Sequence, residues 1–294
     1  MFNSQSIAIF FKGVAMGISD LIPGISGGTI ALLLGIYKNF IDSLKSINHK
    51  SLIYLLSLNF DKLDNQINLK FLIPVLLGII FSIFSFSSLV TFLLENYRIL
   101  IFTFFFGLIL FSSLIIISNL KPSQLIEFIT IFCGIIVGYS ISLINPISNS
   151  YDFFSIYISG LIAISAMLLP GISGSYILLL LGKYEFILSS INNFKLDVIL
   201  VFILGAISGV LIFSKLIGWL LNTYYRTTIF LLSGLMLGAL NKVWPWQFDG
   251  LNYSPFIYTE LTGSNNYFII SFIIFIVSGI LSFLLKSIKW KNMD

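Results

Sequence analysis

The chain has 294 residues, of which 57% are hydrophobic and only 10% charged, and its mean hydropathy is +1.02. A soluble domain is nearer a quarter charged, so a water-soluble globular protein is excluded and lipid is the solvent. The net charge of +4 is small, and the basic residues lie in short loops and at the C-terminus, without the clustered stripe of a nucleic-acid surface.

In chain order, Met1 to Ser6 carry no basic residue before the first apolar stretch. A cleavable signal peptide is therefore not expected, and the first segment is expected to remain. Residues 7–37 form an apolar segment interrupted by Leu21-Ile22-Pro23-Gly24-Ile25-Ser26-Gly27. A polar loop from Lys38 to Lys70 follows, holding the single His49, read as solvated. Three unbroken stretches come next, 71–94, 99–118 and 125–144, each near the ~20 residues a spanning helix needs. Pro74 is placed in the first turn of its helix, where a missing N–H costs little. The single Cys133 lies inside the third stretch and has no partner for an intramolecular disulfide. One His and one Cys argue against a His/Cys metal centre.

The pattern then repeats. Residues 153–184 carry Leu168-Leu169-Pro170-Gly171-Ile172-Ser173-Gly174, and 198–221, 227–243 (short) and 267–288 are unbroken. Between 20–37 and 167–184, 12 of 18 positions are identical at an offset of 147. Weaker likeness continues at an offset of 127, with Leu77-Gly78 against Leu204-Gly205 and Gly107-Leu108 against Gly234-Leu235. The expected fold is an all-α integral membrane domain over 1–294, with repeat one at 1–147 and repeat two at 148–294.

Pro23 removes a donor and disfavours helix before it, while Gly24 and Gly27 permit unusual torsions. A helix restarting at Ser26 and reaching Tyr37 is ~18 Å long, short of a ~30 Å hydrocarbon core. This suits a re-entrant hairpin. If both breaks are hairpins, the halves are inverted and the 16 Lys and Arg divide 12 to 4; if each break crosses once, they divide 7 to 9. The positive-inside rule favours the first arrangement, with Lys12, Lys38 to Lys70, Lys121, Lys215, Arg226, Lys286, Lys289, Lys291 and both termini cytoplasmic. Arg98, Lys183, Lys195 and Lys242 fall opposite.

Non-helical backbone at membrane depth is tolerated where it lines a cavity or is buried in protein, and paired breaks in inverted repeats build transporter sites. Ser26 and Ser173 read as N-caps followed by free backbone N–H groups, an arrangement suited to phosphate. Gly27, Gly28, Gly174 and Ser175 allow close approach, and Thr29 and Ser175 add hydroxyls. The competing reading is a kink used only for packing; the same pentapeptide in both halves favours a functional site. Gly35 and Gly182 read as packing positions. Asp20, replaced by Met167 in repeat two, is a candidate for a coupling proton or for organising the turn. Lys12 lies two turns earlier, too far from Asp20 for contact along one helix. Glu95, Arg98, Glu127, Lys215 and Arg226 lie near segment ends and read as snorkelling, Lys215 being the deepest of them.

With their half-chain spacing, Asp20-Leu21-Ile22-Pro23-Gly24-Ile25-Ser26-Gly27-Gly28-Thr29 and Leu168-Leu169-Pro170-Gly171-Ile172-Ser173-Gly174-Ser175 resemble the polyprenyl-phosphate transporter family. The resemblance implies that undecaprenyl phosphate, the lipid carrier of peptidoglycan and other cell-envelope glycans, is moved from the outer to the inner leaflet of the bacterial cytoplasmic membrane. It implies substrate binding by Asp20, Pro23, Gly24, Ser26, Gly27, Gly28, Thr29, Pro170, Gly171, Ser173, Gly174 and Ser175. No catalytic residue, cofactor or metal is expected, and the driving force is a coupling proton, a sodium ion or the membrane potential, with Asp20 the candidate for the proton. Family members often carry an acidic residue after the motif tyrosine; Glu185 fits, whereas Lys38 follows Tyr37. A transporter or channel for a small soluble anion is the alternative. A lipid-diphosphate phosphatase is disfavoured because Gly27 and Gly174 stand where that pattern has Arg, and no Glu-x-x-x-Glu occurs.

Overall fold

The computed structural model describes residues 4–144 and 151–286. The expected repeat boundary at 147/148, Lys289, Lys291 and the last two residues of the 267–288 stretch lie outside them. Over the described residues the chain forms α1 Ser4–Asp20, α2 Gly27–Leu33, α3 Tyr37–Lys45, α4 His49–Leu56, α5 Phe60–Ile67, α6 Leu69–Asn96, α7 Arg98–Leu120 and α8 Leu125–Ser142. These are followed by α9 Phe153–Met167, α10 Gly174–Leu180, α11 Tyr184–Asn192, α12 Leu196–Thr223, α13 Tyr225–Ala239, α14 Pro255–Thr262 and α15 Phe268–Lys286. Two-residue strands, β1 Gln247–Phe248 and β2 Leu251–Asn252, pair across an Asp249-Gly250 turn with both central φ angles positive, as a tight hairpin needs.

Among the described residues, five helices are long and apolar enough to cross a membrane: α6, α7, α8, α12 and the Phe268–Leu285 part of α15. They display Leu, Ile and Phe outward, so the protein is a multi-pass, all-α membrane protein. The sixth unbroken stretch, 227–243, is shorter, a 15-residue α13 that tightens into a 3₁₀ turn ending at Val243.

Three sequence expectations need correction. The helix restarted after each break is seven residues long, not twelve. It stops because Gly35 and Gly182 take left-handed φ angles of 68° and 63°. The Gly35 N–H returns to Leu32 O and the Ile36 N–H to Ala31 O, with Gly182 to Leu179 O and Lys183 to Leu178 O as counterparts. This is the Schellman pattern, so these glycines terminate helices instead of serving packing. Second, the loop from 38 to 70 is mostly helical, folding into α3, α4 and α5, with Asn48 and Asn59 side chains capping the latter two. Third, Pro74 sits in the second turn of α6, because Asn68 starts that helix by accepting from Phe71 and Leu72. The carbonyl it leaves unpaired belongs to Lys70, which is exposed.

The chain divides into two compact units. The first comprises residues up to Phe84 and those from Ile144 to Thr228; the second comprises Ser85–Leu143 and those from Ile229 onward. Within the first, α1 packs on the start of α6 and α9 packs on α12 through glycines that admit no side chain. A β-carbon on Gly13 would strike the Val75 backbone, and one on Gly78 the Phe10 carbonyl. At repeat-equivalent positions Gly160 meets the Phe202 carbonyl and Gly205 the Tyr157 carbonyl. Within the second unit, Gly134, Gly138, Gly234 and Gly238 bring α8 and α13 into backbone contact. Small residues are what let helices approach this closely in lipid.

Candidate functional site: two breaks locked together

Both Pro-Gly breaks lie in the first unit, and hydrogen bonds cross from one to the other. The α9 helix ends before Pro170, so its last carbonyls have no partner in their own helix. Hydroxyls from the first break satisfy them: Ser26 Oγ donates to Met167 O at 3.0 Å and the Tyr37 hydroxyl to Leu168 O at 2.9 Å. In return, the Gly171 N–H donates to Thr29 Oγ1 at 2.8 Å. Ser26, Thr29 and Tyr37 are almost wholly buried, where an unpaired polar group would be costly. A β-carbon on Gly28 would crowd the carbonyl oxygens of both Met167 and Leu168, so Gly28 is small because the second break lies against it. Gly24 and Gly171 hold φ angles of 87° and 91°, which favour glycine.

The two half-helices differ at their N-termini. In α2, Ser26 caps as expected, accepting from the Gly28 N–H at 3.1 Å, and Asp20 Oδ1 accepts from the Gly27 N–H at 2.6 Å. The N–H groups expected to be free after Ser26 are therefore occupied by the chain's own side chains. In α10, Ser173 is not the side-chain cap its sequence suggests. Its hydroxyl pairs with that of Ser175 at 2.8 Å, and Met167, standing where repeat one has Asp20, packs beside Gly174. All of α2 is buried, whereas α10 buries only Gly174, Tyr176 and Leu180. Pro23 is exposed and Pro170 buried.

Some residues gain roles that the sequence reading missed. Lys12 donates to Leu34 O, at the C-terminal end of α2, at 2.9 Å. Lys12 and Asp20, eight residues apart and so ~12 Å along α1, therefore grip opposite ends of the half-helix beside them. Each bears the sign that the helix dipole favours at its end. The repeat alignment held this clue, since Ser159 and Met167 replace the two charges in repeat two. Lys183 is fully buried, with its ammonium 4.6 Å from the centre of the Tyr151 ring. Glu127 does not snorkel: it is buried and accepts from the Ser123 and Gln124 N–H groups at 2.7 and 3.2 Å, capping α8. The signal was the Gln124-x-x-Glu127 capping box. Glu95, Arg98, Lys215 and Arg226 are exposed, as are Glu185 and His49.

Outside the apolar segments, α3 carries a small ion cluster. Asp42 accepts from Lys38 at 2.6 Å and from Lys45 at 3.2 Å. Burial pushes the Asp42 carboxyl up, but the hydrogen bonds and charges of the two lysines outweigh it and hold the group below the usual carboxylate range.

The Vibrio cholerae protein named polyprenyl-phosphate transporter is 40% identical over 241 residues, covering 82% of this chain and 78% of that protein. The Staphylococcus aureus protein of the same name is 35% identical over 253 residues, covering 80% of this chain and 84% of that one. No solved structure matches the chain. Residues 16–255 match the family model described as undecaprenyl phosphate translocase-like, and this chain belongs to that family.

Proposed function

We propose that the protein moves a polyprenyl phosphate, undecaprenyl phosphate in the bacterial setting, from the outer to the inner leaflet of the cytoplasmic membrane without reacting it. The lipid carrier of envelope glycan synthesis is thereby returned for reuse. Both relatives are named for this substrate, which supports the reading. A phosphate cannot cross hydrocarbon unless protein donors replace its water.

The observation that carries the site assignment is the set of three hydrogen bonds joining the two breaks, Ser26 to Met167, Tyr37 to Leu168 and Gly171 to Thr29. They gather Asp20, Pro23, Gly24, Ser26, Gly27, Gly28 and Thr29 with Pro170, Gly171, Ser173, Gly174 and Ser175 at one locus. Within it, the first break is the frame and the Ser173–Ser175 hydroxyl pair, which among the described residues is bonded to itself across 2.8 Å, is the part that turns toward the phosphate. Asp20 is the proposed acceptor of a coupling proton, since protonation weakens its charge-assisted bond to Gly27. The halves are inverted repeats, each break is a re-entrant hairpin, and both termini are cytoplasmic. The 12 to 4 division of basic residues and the glycine contacts recurring at equivalent positions support this arrangement.

The test is leaflet exchange of a fluorescent polyprenyl phosphate in proteoliposomes, with and without a proton gradient. The wild type should exchange the lipid faster than protein-free vesicles, and the double variant Ser173→Ala, Ser175→Ala should slow exchange while inserting normally. Wild-type exchange no faster than in empty vesicles would sink the function; full activity in the double variant would sink the site.

A further inference from the structure

We infer that the second unit holds a binding site for the isoprenoid chain of the lipid; the inference rests on the polyprenyl reading above and extends it from headgroup to tail. Beside α7, α15 and residues 244–246 lies a cavity of about 200 Å³. Phe106, Trp244, Trp246, Phe268, Ser271 and Phe275 form much of its wall, and the accessible wall is wholly apolar.

The cavity is built to stay open. Phe106 meets Trp244 edge-on with centroids 5.4 Å apart, Trp244 meets Trp246 at 5.8 Å, and Trp246 and Phe268 lie 6.5 Å apart. The indoles are fixed from behind: Trp244 Nε1 donates to Tyr253 O at 2.8 Å and Trp246 Nε1 to Asn266 O at 2.9 Å. Rings tied together in this way do not collapse to fill the space.

Water is a poor occupant. Both indole N–H groups are spent, and the Thr103 hydroxyl on the wall already donates to Ile99 O at 2.7 Å. The Ser271 hydroxyl, almost wholly buried, has no partner among the described residues. A buried water needs roughly two to four polar partners, and this wall offers one. The occupant is therefore hydrocarbon. Phe268 and Phe272 on α15 are 43% and 58% exposed, and α15 is apolar enough to face lipid, so hydrocarbon is what lies at the mouth. An apolar cavity of about 150 Å³ takes up benzene, so this one holds one or two isoprene units. A flat, methyl-branched isoprene segment has the bulk to fill a ring-walled space of this volume. A single row of methylenes leaves part of it empty and forfeits dispersion contacts.

The test uses the full chain in nanodiscs of phosphatidylethanolamine and phosphatidylglycerol, with a geranylgeraniol carrying a terminal diazirine and no phosphate. Photolabelling should map to 244–246 or 268–275, fall with excess geranylgeraniol and persist with excess hexadecanol. Ser271→Leu, which fills the cavity, should cut labelling by about tenfold; if that variant does not insert, the competition in the wild type decides. Label elsewhere, or equal displacement by hexadecanol, overturns the inference in favour of no site or of a general acyl-chain site. Because the probe lacks a phosphate, the two claims fail separately. Absent leaflet exchange with intact labelling strikes the translocation reading alone, and normal exchange without labelling strikes the cavity alone.

Discussion

Lys12→Met and Asp20→Asn should loosen α2 selectively, and the size of the effect follows from its length. Seven residues make a helix of ~10 Å, too short to persist without outside support. Burial of all seven residues supplies part of that support. The rest comes from α1, whose Asp20 carboxylate lies 2.6 Å from the Gly27 nitrogen and whose Lys12 ammonium lies 2.9 Å from the Leu34 oxygen. A charge at a partly buried helix end contributes up to about 2 kcal/mol. Asn keeps an acceptor for Gly27 and should cost about 1 kcal/mol; Met keeps neither charge nor donor and should cost about 1–2 kcal/mol. The two sites are ~12 Å apart along α1, far enough to act additively. Hydrogen exchange read by mass spectrometry is the assay. Protection of the α2 amides should fall by about tenfold in each single variant and about a hundredfold in the double, with α9 and α12 unchanged. Wild-type α10, which has neither charge and buries fewer residues, should already exchange faster than α2. Equal protection of α2 in the wild type and the double variant would refute the clamp.

Thr29→Val is nearly isosteric but strands the buried Gly171 N–H, at a cost of roughly 1–3 kcal/mol. A thermal melt in detergent should show it well below the wild type, with Thr29→Ser closer to the wild type because it keeps the oxygen; coincident melts for all three would refute the cross-break bond. The Asp42 cluster gives a pH signature. Its carboxyl is held below the ordinary range by Lys38 and Lys45, so its contribution is present above the unfolded value near ~3.9 and is lost as pH falls through the lower folded value. Asp42→Asn should therefore destabilise at pH 7, and the difference should shrink when the same denaturation is run at successively lower pH below ~3.9.

Most of the architecture could be read from composition and repetition, because a spanning helix and a Pro-Gly break are both local properties. The five long helices start and stop within a few residues of the apolar runs, since lipid leaves the backbone no alternative to helix. What the sequence hid depends on partners distant in the chain. Ser26 and Ser173 look alike in sequence, yet only Ser26 caps its helix, because Met167 O accepts from its hydroxyl and holds it in place. The short α2 and α10 were obscured because a glycine within an apolar run reads equally well as a packing site or as a left-handed stop.

The difference between the two halves follows from the same polar accounting. An integral membrane chain that breaks a helix must find partners for the freed carbonyls and amides. Here one break supplies them to the other: Ser26, Thr29 and Tyr37 all serve residues 167–171. A hydroxyl committed in this way cannot also turn to a ligand without exposing a buried carbonyl, which is why the proposed phosphate contact is placed at the second break and not the first. Among the described residues the Ser173 and Ser175 hydroxyls pair with each other, so on the proposed reading turning both outward exchanges one bond for new ones to the ligand. Duplication alone gives two equal breaks. With Met167 where the first break has Asp20, and a serine pair where it has cross-break bonds, the second break is tied less to its surroundings, which is what the proposed phosphate contact at Ser173 and Ser175 requires.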